Sequence, residues 1–117
     1  MAKYAFLGGY TDKTWATLID NPENRRGAVE RAAEAVGAKL ETIYWSFGDD
    51  DFLCILEAPD DTAAAAIGVG VASSGALRNT RTIKLITSDE LVNLLGKAKT
   101  VTAAYVPPGQ RKPVGVG

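Results

Sequence analysis

At 117 residues, with 46% hydrophobic and 23% charged residues, the chain has ordinary globular composition and room for one hydrophobic core, because two domains of half this length would each bury too little to offset folding entropy. Thirteen basic residues against fourteen acidic ones leave a net charge of -1, so no global positive field gathers phosphates, and nucleic acid is not expected as a partner. Histidine is absent and Cys54 is the only cysteine, which excludes Ser-His-Asp and Cys-His catalysis, an intrachain disulfide and a Cys-rich or two-His metal site, and points to a reducing, cytoplasmic compartment.

The N-terminus runs from Met1-Ala2-Lys3 straight into a strand-like segment, and no signal peptide is expected. Lys3 to Tyr10 is rich in aromatic and aliphatic residues and reaches Gly8-Gly9 at its end, as a strand with a tight exit does. Thr11 to Ile19 places Trp15, Leu18 and Ile19 at helical spacing. Asn21 and Pro22 then suit the cap and first position of a restarted helix, whose stripe of Ala28, Val29, Ala32, Ala33 and Val36 stops at Gly37.

Lys39 to Phe47 and Phe52 to Ala58 read as a hairpin around the turn Gly48-Asp49-Asp50-Asp51. A four-residue turn sets Phe47 opposite Phe52. Strand parity then places Ile43, Trp45, Phe47, Phe52, Cys54 and Leu56 on one face, and Thr42, Tyr44, Ser46, Leu53, Ile55 and Glu57 on the other. Pro59-Asp60-Asp61-Thr62 opens an alanine-rich helix that ends at Gly75, with Asp60 or Asp61 as its cap. The helical run from Ala63 to Ala72 falls well short of the roughly 20 apolar residues that span a bilayer, and no membrane association is expected. Arg81 to Ile86 forms the last strand, and Ser88-Asp89-Glu90 starts a final helix with Leu91, Leu94 and Leu95.

This order predicts an α+β fold: a ferredoxin-like βαββαβ antiparallel sheet with a C-terminal helix. The domain is expected over residues 1–98, followed by an extended or flexible tail over 99–117. Within that tail Val101 to Val106 alternates as an edge strand would, and Pro107 to Gly117 is too rich in proline and glycine for a regular element of its own. Both crossover helices cover one sheet face. The other face carries Leu53 and Ile55 beside Tyr44 and Glu57, too apolar to be left in water, so the chain is expected to pair with copies of itself.

Several local patterns are weighed against simpler readings. Asp49-Asp50-Asp51 offers adjacent carboxylates to a cation, but no helper ligands follow at calcium-loop spacing, and a solvated turn is the expectation. Gly68-Val69-Gly70 lies inside a helix and lacks the third glycine of a dinucleotide fingerprint, so close helix-sheet packing accounts for it. Cys54 sits in an apolar strand and reads as an inert buried thiol. Tyr4, Phe6, Tyr10, Trp15, Tyr44 and Trp45 cluster around the first two strands, where a flat ligand can stack. Glu57, Arg78, Arg81 and Lys84 are charged groups on strands or at their ends, which either face water or converge on a cavity.

Tyr10-Thr11 after the first strand, Tyr44-Trp45 followed by Phe47-Gly48, the acidic turn ending at Asp51, the helix start Glu57-Ala58-Pro59-Asp60-Asp61, and Ser74-Gly75 with Arg78 together resemble the GYD domain family over roughly residues 3 to 95. The chain departs from that family's motif by carrying an aspartate in the Gly48–Asp51 turn where the family has a tyrosine. The resemblance implies a ferredoxin-like fold of the dimeric α/β-barrel type, in which two sheets meet face to face. Fold-level relatives include cofactor-free monooxygenases, isomerases, haem enzymes and ligand sensors, and fold does not fix function. Without histidine, haem ligation of the usual kind is not expected, and neither is any other cofactor.

The first reading is therefore a homo-oligomer that binds a small organic molecule at the open sheet face, with Tyr4, Phe6, Tyr44, Glu57, Arg78 and Lys84 as ligand-binding residues. A second is a cofactor-independent monooxygenase or isomerase, with Glu57 or an aspartate as base and Tyr44 or Lys84 as electrophilic helper. A third is an interaction protein with no pocket.

Overall fold

A computed structural model describes residues 1–110 and contains eight elements: β1 (Ala2–Tyr10), α1 (Asp12–Asp20), α2 (Arg26–Glu34), β2 (Lys39–Trp45), β3 (Phe52–Ala58), α3 (Asp61–Ala72), β4 (Leu77–Leu85) and α4 (Ser88–Ala104). The first seven belong to one unit, residues 1–85, and α4 to a second that starts at Ile86. In the first unit the strands form one antiparallel sheet in the order β2-β3-β1-β4. Two split crossovers place β1 and β3 at its centre, which is the ferredoxin-like arrangement.

Alternation along the strands decides the layering. Tyr4, Phe6 and Tyr10 of β1 and Phe52, Cys54, Leu56 and Ala58 of β3 point to one side, where Ala33 of α2 and Ala63, Ala64 and Ile67 of α3 close over them. Burial of each large side chain there contributes about 1.5–3 kcal/mol. Small residues let the helices approach: a Cβ on Gly68 would stand 3.1 Å from the Thr82 hydroxyl and 3.6 Å from Phe6. Packing accounts for Gly68 but not for Gly70, whose added Cβ would meet nothing.

The register of β2 shifts between Leu40 and Thr42. That bulge lets both Leu40 and Ile43 face the core although three positions separate them. The hairpin also closes earlier than expected. Trp45, not Phe47, lies opposite Phe52, because the Ser46 N–H donates to the Asp51 carbonyl at 2.8 Å and the Ser46 hydroxyl to the Asp50 carbonyl at 2.8 Å. Phe47 is thereby left in the turn, fully exposed.

Thr11 caps α1 and Asp60 caps α3, each accepting a backbone N–H through its side chain. The expected cap of the second helix differs. Asn21 donates its N–H to the Thr17 carbonyl at 3.0 Å and so closes α1, and Pro22 lies in the connection. α2 starts only at Arg26, whose N–H is accepted by Asn24 Oδ1 at 3.0 Å.

In the second unit, Thr87 and Glu90 form a reciprocal capping box at the start of α4. The helix continues to Ala104, so Val101 to Ala104 are helical rather than an extended edge, with Tyr105 N–H still bonded to the Val101 carbonyl. β-branched residues cost a helix only fractions of a kcal/mol, whereas Pro107 and Pro108 cannot continue one. The expectation for Pro107 to Gly117 falls largely on residues 111–117, outside the described ones. No helix among the described residues is long and apolar enough to cross a membrane.

Candidate functional site

The pairing of β1 with β4 shifts register through a second bulge at the C-terminal end of β1, where Gly9 pairs with Asn79 and Tyr10 with Leu77. The residue between them, Arg78, turns its guanidinium over Gly9, where an added Cβ would come within 2.0 Å of Nη1. A side chain at Gly9 would displace the guanidinium. From there Nη1 donates to Asp51 Oδ2 at 2.6 Å and to the Tyr10 carbonyl at 3.1 Å, and Nη2 to the Asp49 carbonyl at 2.5 Å. Asp51 Oδ2 also accepts the Tyr10 N–H at 2.9 Å, and Asp50 pairs with Arg81. The acidic turn is thus tied to β4 by two arginines and to β1 through backbone groups of Tyr10 and Gly8. Partial burial pushes the Asp51 carboxyl up, but the hydrogen bonds from Arg78 and from the Tyr10 N–H outweigh it and hold the group below its ordinary value. Among the described residues no group of three or more His, Cys, Asp or Glu side chains is placed to hold a metal.

This clamp fixes Tyr10 at the mouth of a cleft between the sheet and the connection from α1 to α2. The Tyr10 ring stacks on Trp45 with centroids 5.9 Å apart and meets Trp15 edge-on at 5.0 Å. Trp45 in turn contacts Phe52 at 5.9 Å. Three adjoining hollows of about 100, 280 and 420 Å³ all share Tyr10 and Arg25. The smallest reaches inward to Phe6 and Ile67, the middle one lies among Trp15, Leu18, Pro22 and Trp45, and the largest opens past Lys13 and Thr17. Trp15 and Trp45 remain 40% and 49% exposed, so each indole offers apolar surface to the cleft. Arg25, at the start of α2, pairs with Glu23 at 2.6 Å. Burial raises the Tyr10 phenol above its ordinary value, and the Arg25 charge partly opposes that shift.

The residues expected to share a site are divided by the sheet. Tyr4 and Phe6 face the helices and belong to the core; of the two, only Phe6 reaches the cleft. Lys84 pairs with Tyr4 across the strands, and both meet Asp61 at the start of α3, the Tyr4 hydroxyl at 2.5 Å and the Lys84 ammonium at 3.2 Å. The bond to Asp61, with burial adding to it, pushes the Tyr4 phenol to about 12. Tyr44 and Glu57 lie on the opposite face, where Glu57 is paired in register with Lys3 and Lys39. Arg78 serves the turn clamp. A base at Glu57 and a helper at Lys84 would act on opposite sides of the sheet.

Sequence reasoning left out Arg25, and it treated Tyr10, Trp15 and Trp45 only as part of a wider aromatic group. Trp15 and Trp45 are the only tryptophans in the chain. Their convergence on one cleft is tertiary, and no local pattern separates them from core aromatics.

A family model described as GYD domain matches residues 4–95. No curated protein matches the chain. The match spans most of the chain, including every strand, the turn clamp and the cleft. The chain belongs to the GYD domain family.

Proposed function

We propose that this GYD-domain protein binds a small organic molecule in the cleft around Tyr10, Trp15, Trp45 and Arg25, and that it does so as a homo-oligomer joined through the open sheet face. The carrying observation is the union of two half-exposed indoles with one guanidinium around the hollow of about 280 Å³, which Tyr10, Leu18, Glu23 and Arg25 share with the larger one of about 420 Å³. Ligand sites are typically concave, mostly apolar and supplied with a few converging polar groups, with volumes of roughly 300–1,000 Å³. This reading moves the ligand from the open sheet face to the helix-covered side.

The oligomer rests on a separate observation. On the open face Tyr44 is 68% exposed and Ile83 42%, beside the half-buried Leu7, Leu53 and Ile55. Apolar side chains of this size gain by meeting a second surface.

A thermal-shift screen of small aromatic and aliphatic compounds tests the binding, since a ligand selective for the folded state raises its melting temperature. A panel without a single stabilising compound contradicts it. Light scattering at micromolar concentration tests the assembly separately, and a monomer contradicts that part.

A further inference from the structure

We infer that the cleft selects a planar aromatic carboxylate, with its ring against Trp15 and Trp45 and its carboxylate on Arg25 in the place Glu23 now holds. The inference rests on the ligand-binding reading above and adds the chemical class.

Shape comes first. A dry apolar hollow of roughly 150 Å³ accepts a single benzene ring, and the chamber lined by Trp15, Trp45, Leu18 and Pro22 measures about 280 Å³. One or two fused rings fit that space. Rings prefer offset-stacked or edge-to-face contacts, and the half-exposed faces of Trp15 and Trp45 are the surfaces still open to such contact.

Charge comes second. Four charged side chains line the two larger hollows: Lys13, Glu23, Arg25 and Asp51. Asp51 is engaged by Arg78, and Glu23 is the carboxylate on Arg25. Lys13 has no carboxylate partner among the described residues. The chamber between the indoles holds Glu23, Asp51 and Arg25, and Lys13 lies only on the larger hollow beside it. With each carboxylate held by an arginine, an anion that displaces Glu23 meets Arg25 directly and has Lys13 beyond it. Arg25 also stands at the N-terminal end of α2, where the first turn holds no acidic residue and the helix dipole adds to the positive potential.

The Glu23–Arg25 pair supplies the third observation. The two groups lie two residues apart on the connection before α2, and both remain partly exposed. Glu23 is a carboxylate already seated on the guanidinium, at the edge of the aromatic chamber. Glu23 meets the guanidinium through one contact, Nη1 to Oε1; a ligand carboxylate can take that place with both oxygens, the two-pronged geometry guanidinium favours, while its ring adds contacts that Glu23 cannot make. Glu23 therefore acts as an internal competitor.

The test is calorimetric titration of the full chain with 2-naphthoate, 2-naphthamide, 2-naphthylmethylammonium and decanoate. The inference expects 2-naphthoate to bind at least about tenfold more tightly than each of the other three, the loss of one charge-assisted contact being worth about that factor. Arg25→Gln should bring the acid and the amide to equal affinity, Arg25→Lys should restore part of the difference, and Glu23→Gln should tighten the acid without changing the amide. Acid and amide binding equally to the unaltered chain, or the ammonium or decanoate binding best, overturns the inference while leaving a ligand cleft. A preference for the acid that survives Arg25→Gln overturns the assignment of Arg25. No binding by any of the four overturns the inference and weighs against the ligand reading as well.

Discussion

Arg78 occupies the space that a side chain on Gly9 would fill: a Cβ there would stand 2.0 Å from the guanidinium Nη1. The two residues form one device, in which the bare backbone admits the guanidinium that ties Asp51, Tyr10 and Asp49 together.

Gly9→Ala should therefore displace the guanidinium and cost about 1–3 kcal/mol, through the charge-assisted hydrogen bonds that the displaced group no longer makes. In an Arg78→Ala background the same change should cost far less, giving a coupling of at least about 0.5 kcal/mol in a double-mutant cycle. Denaturant unfolding of the four proteins measures it. Additive costs would separate the glycine from the arginine.

The same clamp carries a pH signature. The folded-state value of Asp51 lies below its ordinary 3.8, so its ionised form stabilises the fold above that value, and the contribution is lost as pH falls through the lower, folded one. The Asp51 side chain is only 14% exposed, which limits screening by solvent. Asp51→Asn should destabilise the protein at neutral pH and flatten the fall in stability below about pH 4. Asp61 is also lowered, first by the Tyr4 hydroxyl and then by Lys84, so some acid sensitivity should remain in the variant. Melting curves from pH 2 to 7 decide, and an unchanged slope would remove Asp51 from the account.

Phe47 was expected opposite Phe52 and lies in the turn with 107% exposure instead. Phe47→Ser should change stability by no more than about 0.5 kcal/mol. Trp45→Ala removes the ring that contacts Tyr10 and Phe52 and should cost several times more. A large loss at Phe47 would mean that its ring is buried in the protein as it exists in solution.

Much of this molecule could be read before its structure, and the failures share a cause. Period-two alternation in Phe52 to Ala58 gave a strand with its buried residues correctly sorted, and the four strands fell into their observed sequence. Alternation in β1 could not say which face the helices take, because Ala5 and Leu7 are as apolar as their neighbours. Tyr4 and Phe6 were thus expected beside Tyr44 and Glu57 across the sheet. The bulges at Glu41 and Arg78 shift register without any mark in composition. Asn21-Pro22 looks like a helix start, yet the Asn21 N–H completes the last turn of α1. Arg25 joins the cleft only because the connection folds back beside Tyr10, a tertiary event that local propensity does not record.

Cys54 has no exposed surface, and burial pushes its thiol to about 12. The native protein should resist a disulfide reagent at pH 8 for hours and react at one thiol per chain in denaturant. Rapid native labelling would show that the layer between sheet and helices opens on the experimental timescale.

The ligand cleft itself is tested most directly by amide and indole NMR. Trp15 and Trp45, the only tryptophans, give two indole N–H signals, and both line the middle hollow. A soluble panel of small aromatic acids, amides and alcohols should contain compounds that move both indole signals and the Arg25 signals together, while the amides of Tyr44, Leu53 and Glu57 stay in place. Shifts concentrated on Tyr44, Leu53 and Glu57, with both indoles unmoved, would put the ligand on the open sheet face and contradict the cleft.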